Sequence, residues 1–231
     1  MQLNYWGWSW PLRPEDCACD IHFVEYLRRE GIHDKVIFHF GTGAHHLVGK
    51  TNLDIEPPNE ILAITASPEE YQRYVEFVIA NPRAAKTYKV LFGDVYTLSP
   101  RILPWFDVVT LFHLCEFYEE TTSTYADLND SSLLALFLSR LRPGGRILFY
   151  SRSSHFSQCR TIIDEFVAAG LLVQVDEHET LVVYGRPPTC AGRAANRRAH
   201  TAGQDAEGAT AMLQLTDRGK DTSFVPEHRY Q

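Results

Sequence analysis

The chain has 231 residues, enough to bury one sizeable α/β core with an appendage and too few for two large domains. Apolar residues at 45% and charged residues at 22% match a soluble globule. A formal charge of −7 repels phosphate backbones and anionic lipid, so no nucleic-acid or membrane-surface partner is expected. No apolar run approaches the ~20 residues that cross a bilayer, and the first residues lack a basic segment followed by an apolar one. A cytoplasmic protein is the resulting expectation.

Residues 1–30 form an aromatic cap and a helix. Tyr5, Trp6, Trp8 and Trp10 are interrupted by Gly7, Pro11 and Pro14, and such rings either pack as a lid on the domain or wall a substrate pocket. Asp20 then precedes a helix over 21–30, with Ile21, Val24 and Leu27 at helical spacing and Gly31 as its stop. Val36–Phe40 is an uninterrupted apolar run, the pattern of a strand buried on both faces. Residues 41–49 supply a glycine-rich turn and a helix start. A second strand at 60–64 is followed by Ser67 and Pro68, a good cap and first helical residue, and by a helix with Tyr71, Tyr74, Val75 and Val78 on its apolar face.

A third strand at 89–92 closes at Gly93-Asp94, and a fourth runs over 106–114 into a polar, aromatic stretch, His113 to Tyr118. A helix at 133–141 is broken by Arg142-Pro143-Gly144-Gly145 before a fifth strand at 146–150. After a helix at 158–169, runs at 171–177 and 180–184 read as an antiparallel hairpin. Repeated β–α alternation ending in a hairpin predicts a Rossmann-like, doubly wound α/β domain over 31–187, its sheet mostly parallel. From 188 to 231 large apolar residues are sparse, and a disordered tail is expected. The five cysteines, Cys17, Cys19, Cys115, Cys159 and Cys190, lack framework spacing and are expected to be reduced structural thiols.

In an open α/β sheet, ligands sit beyond the carboxyl ends of the strands where the winding reverses, which directs attention to Gly41-Thr42-Gly43. The dinucleotide fingerprint would place a third glycine where His46 stands and an acid near the end of the second strand, which closes on Thr65. The set Gly41-Thr42-Gly43, Gly93-Asp94, the Phe106 to Tyr118 block and Arg142-Pro143-Gly144-Gly145 instead resembles, in order, the motifs of class I S-adenosylmethionine-dependent methyltransferases. The resemblance covers about residues 30–187. It implies seven strands in the order 3-2-1-4-5-7-6 and S-adenosylmethionine as cofactor, with a site made by His39, Gly41, Thr42, Gly43, Thr65, Asp94 and Val95. In that site Gly41 and Gly43 flank the amino-acid part, residue 65 faces the ribose, Asp94 reaches the adenine amino group and Val95 lies beside the ring.

The chain departs from the family pattern at three positions. His39 stands where the family usually has a carboxylate, His45 where it has a third glycine, and Thr65 where an acid ends the second strand. A carboxylate makes stronger hydrogen bonds to hydroxyls than a threonine does, so Thr65→Asp is expected to tighten donor binding. His39, His45, His46 and His113 are placed to gather at one mouth, and His113 is the candidate general base. No ligand set for a metal is completed by spacing. The reaction the resemblance implies is methyl transfer to oxygen or nitrogen of a small-molecule acceptor. The altered residues also leave open a non-catalytic or altered-ligand binding or scaffold protein on the same fold.

Overall fold

The structure is a computed structural model that describes residues 5–188; the tail expected beyond Pro188 lies outside them. Its strands are β1 (Val36–Phe40), β2 (Glu60–Thr65), β3 (Tyr88–Phe92), β4 (Phe106–Thr110), β5 (Leu141–Tyr150), β6 (Val173–His178) and β7 (Leu181–Gly185). They form one seven-stranded sheet in the order β3-β2-β1-β4-β5-β7-β6. β1 pairs in parallel with β2 and β4, and β7 runs antiparallel to β5 and β6. This is the order implied by the resemblance. The winding reverses at β1 and β4, where His39 lies level with Thr110.

Helices α1 (Ala18–Arg29), α2 (Leu47–Thr51), α3 (Pro68–Ala80), α4 (Ala84–Thr87), α5 (Asp130–Ser139) and α6 (Phe156–Ala168) cover the sheet. Alternation along each strand divides the core in two. Phe38 and Phe40 of β1 point toward a layer with Phe106, Phe137 and Phe149, while Ile37 points to the opposite one with Phe23, Tyr26 and Tyr88. Phe38 is fully buried, its ring 4.2 Å from that of Phe137, and its loss to alanine would cost about 3–5 kcal/mol.

Helix and strand ends shift by a few residues from the sequence reading, and two strands differ more. β4 ends at Thr110, and the residues after it form a turn through Cys115 at φ 73°; the apolar run continues because Leu111, Phe112 and Leu114 are themselves buried. β5 begins at Leu141 and carries the Pro143-Gly144-Gly145 turn within it. The pairing with β4 jumps there from Phe106–Leu141 to Val108–Arg146, and Gly144 takes φ 79°. The break is therefore a bulge, which glycine accommodates.

Candidate active site at the carboxyl ends of the strands

The turn after β1 is shaped by two glycines and two histidines. Gly41 and Gly43 have φ of 84° and 54°, a region costly for side chains. A β-carbon at Gly41 would lie 3.0 Å from His113 Cδ2, and one at Gly43 would lie 2.3 Å from His45 Nε2. Beneath the turn, His46 takes up both its nitrogens, Nδ1 with the Tyr88 hydroxyl and Nε2 with the Glu70 carbonyl, each at 2.9 Å. It serves as a buried strut.

Asp20 enters from α1. Its carboxylate oxygens lie 3.5 Å from His39 Nε2 and 3.5 Å from His45 Nε2. Burial pushes Asp20 up to about 7, against a lowering contribution from His113. Burial also pushes His39 down to about 3 and His45 and His46 to about 4, so all three imidazoles are neutral at physiological pH. His39 has Nδ1 against Thr110 Oγ1 at 3.0 Å, and its buried Nε2 makes no hydrogen bond among the described residues. The carboxylate missing from position 39 is thus present nearby, carried by another element.

Position 65 shows the same substitution. The Thr65 hydroxyl donates to Glu70 Oε2 at 2.6 Å and accepts from the Ser67 amide at 3.1 Å. Glu70 also accepts from the Thr42 hydroxyl and the Trp10 amide, both at 3.3 Å. Burial raises Glu70 above the ordinary carboxylate range, partly offset by these donors.

The N-terminal arm crosses this end of the sheet. Trp6 N–H donates to the Ala66 carbonyl at 3.1 Å, Ser67 Oγ to the Trp8 carbonyl at 2.9 Å, and Ala44 N–H to the Trp10 carbonyl at 2.8 Å. The Trp6 ring packs edge-on against Phe117 at 4.8 Å. Both readings of the tryptophans are met: the arm packs on the domain through Trp6, and Trp6, Trp8 and Trp10 all line a cavity of about 480 Å³, within the ~300–1,000 Å³ of small-molecule sites.

Gly41, Gly43, Thr65, Asp94 and Val95 line that cavity, while His39 and Thr42 are buried behind its wall. Asp94 caps the short turn after β3, accepting from the Tyr96 amide at 2.9 Å and from the Tyr125 hydroxyl. His113 faces the cavity with its side chain 26% exposed, and Glu116 Oε2 holds its Nδ1 at 3.0 Å. Ser153 Oγ donates to the other Glu116 oxygen. Burial alone would lower His113, but the Glu116 hydrogen bond and charge outweigh it and raise the imidazole. Burial would likewise raise Glu116, yet His113 and Ser153 hold it below the usual range. Among the four histidines, His113 is the one whose Nδ1 is held by a carboxylate and whose imidazole is raised where the other three are lowered.

Among those residues, no group of three or more His, Cys, Asp or Glu side chains is placed to hold a metal, and no helix is long and apolar enough to cross a membrane. No family model and no curated protein matches the chain by sequence. Solved structures do match. Magnesium protoporphyrin IX methyltransferase from Synechocystis PCC 6803, with bound S-adenosylmethionine, superposes with a TM-score of 0.52 at 10% identity, over 74% of this chain and 79% of that one. Precorrin-6y C5,15-methyltransferase from Geobacter metallireducens GS-15 gives 0.51 at 12% identity, over 80% and 95%. N-methyltransferase NodS from Bradyrhizobium japonicum WM9 gives 0.50 at 15% identity, over 76% and 98%. The chain has the class I methyltransferase fold.

The Synechocystis enzyme of this fold holds S-adenosylmethionine, and the residues at the switch point here suit such a ligand. The Gly41–Gly43 turn leaves room against its backbone that a β-carbon would fill, and carboxylates of Asp20, Glu70 and Asp94 line the cavity, fitting a cationic donor with ribose and amino groups. Sequence reasoning assigned no site role to Asp20, Glu70 or Glu116. Only Glu116 left a usable signal, three residues after His113 on one turn.

Proposed function

We propose that the chain is an S-adenosylmethionine-dependent methyltransferase acting on oxygen or nitrogen of a small-molecule acceptor. The observation that carries this reading is one cavity at the winding reversal, lined by the Gly41–Gly43 turn, by Asp94 and Val95, and by an anchored His113. When bound, S-adenosylmethionine supplies an electrophilic methyl group. The glycine turn admits close approach of ligand to backbone, and Asp94 and Val95 form the end of the cavity suited to adenine. His113 Nε2 takes the acceptor proton. Glu116 fixes the imidazole tautomer through Nδ1 and stabilises the charge that forms, and Ser153 keeps Glu116 in place. The tryptophan arm supplies apolar area to hold the acceptor and exclude water, and positioning of this kind is the protein's main contribution to the rate.

The test is thermal unfolding with and without S-adenosylhomocysteine. A ligand that binds only the folded state raises the midpoint, by an amount that grows with its concentration. Wild type is expected to show that rise, and Asp94→Ala a smaller one at the same concentration. A wild type indifferent to millimolar ligand would remove the methyltransferase reading and leave an altered-ligand binding protein on the same fold.

A further inference from the structure

Ser67 and Glu70 have the spacing of a reciprocal helix cap, in which the residue three positions on returns its carboxylate to the cap amide. Half of that exchange is present. Ser67 Oγ accepts from the Glu70 amide at 3.4 Å, but the Ser67 amide donates instead to Thr65 Oγ at 3.1 Å. The Glu70 carboxylate is consequently released from capping and turned toward the strand ends. There it is 4% exposed and lines the cavity beside Thr65.

The hydrogen-bond count decides which of the two residues can serve a ligand. Thr65 has one hydroxyl proton, and it is committed to Glu70 Oε2 at 2.6 Å. Glu70 Oε2 receives Thr65 and Thr42, whereas Oε1 receives only the Trp10 amide at 3.3 Å. An ionised carboxylate has about four acceptor sites, which leaves one or more open. No Lys, Arg or His side chain pairs with this carboxylate among the described residues. A buried carboxylate without a cation is costly unless further donors reach it, and the ligand cavity is the direction from which they can come.

In doubly wound α/β folds an acid near the end of the second strand receives ribose hydroxyls. We infer that Glu70, seated by Thr65 and Thr42, is the carboxylate that binds the vicinal diol of the ribose in this chain, with Thr65 its positioning residue. The inference rests on the methyltransferase reading and moves the ribose contact from residue 65 to residue 70. It also reverses the expectation for Thr65→Asp. A second carboxylate would arrive against Glu70 Oε2, displace the seating hydrogen bond and crowd like charges.

The test is titration calorimetry with S-adenosylhomocysteine and its 2′,3′-dideoxy analogue. Wild type is expected to favour the diol-bearing ligand by about tenfold or more, the size of a lost charge-assisted hydrogen bond. Glu70→Gln should lose most of that preference while binding the dideoxy analogue as wild type does, and Thr65→Asp should weaken S-adenosylhomocysteine. If wild type binds the two ligands equally, if Glu70→Gln keeps the full preference, or if Thr65→Asp tightens binding, Glu70 is not the diol ligand, and the methyltransferase reading stands without it. A wild type that binds neither ligand removes both. Should Glu70→Gln fail to fold, the wild-type preference and the Thr65→Asp direction decide the matter.

Discussion

Replacing Asp20 by Asn removes a buried titrating group from the site, and its effect should depend on pH in a definite sense. Asp20 moves from an ordinary 3.8 to about 7 because it is buried, facing His39 and His45 at 3.5 Å, with His113 lowering it and Glu70 raising it from farther away. A carboxyl with a raised folded-state value binds more protons in the folded chain than in the unfolded one. Its contribution is therefore fully present below about pH 4 and lost as pH rises through about 7. At 1.36 kcal/mol per pKa unit, wild type should lose about 2–3 kcal/mol between pH 5 and pH 8 from this group alone. The buried histidines His39, His45 and His46 act oppositely. Their lowered values give stability that is present above 6.5 and lost as pH falls through about 4 and about 3, and this part is common to wild type and variant. Urea unfolding of both proteins at pH 5, 6.5 and 8 isolates the Asp20 part as a difference. The stability of Asp20→Asn relative to wild type should rise by about 2–3 kcal/mol across that range. A difference that stays flat with pH would show that Asp20 is an ordinary, solvated carboxylate and that the cluster around it is open to water.

Gly41→Ala should cost about 1–2 kcal/mol, the strain of a left-handed residue bearing a β-carbon, and displace the His113 ring 3.0 Å away; unfolding together with the His113 NMR signal would register both effects. Glu116→Gln removes the charge that offsets burial at His113, so the His113 titration followed by NMR should shift to lower pH, and an unmoved midpoint would show that the 3.0 Å contact does not control the imidazole.

Much of the fold was legible because a strand buried on both faces leaves an unbroken apolar run, as at Val36–Phe40, and because Gly93-Asp94 and Ser67-Pro68 mark boundaries by local chemistry. The extension of β5 back to Leu141 was not, since Pro143, Gly144 and Gly145 read as a break when they form a bulge. Within the site, the glycine turn and Asp94 announced themselves by residue type. Asp20 and Glu70 did not: each reads locally as an acid at a helix start, where the dipole favours one. Their function depends on side chains meeting across elements, Asp20 with β1 and the turn after it, Glu70 with Thr42, Thr65 and Trp10. Spacing along the chain carries no record of such meetings. Position 65 accordingly looked like a vacancy in the sequence, whereas in the folded chain it is the tether for a carboxylate supplied five residues later.

The most direct measurement is a crystal structure of the wild-type chain grown with saturating S-adenosylhomocysteine. The expected result is ligand across the carboxyl ends of β1 to β4, with adenine at Asp94 and Val95, the ribose diol on the Glu70 carboxylate and the amino-acid end over Gly41 and Gly43. An empty cavity at saturating ligand, or ligand bound elsewhere on the chain, would contradict it.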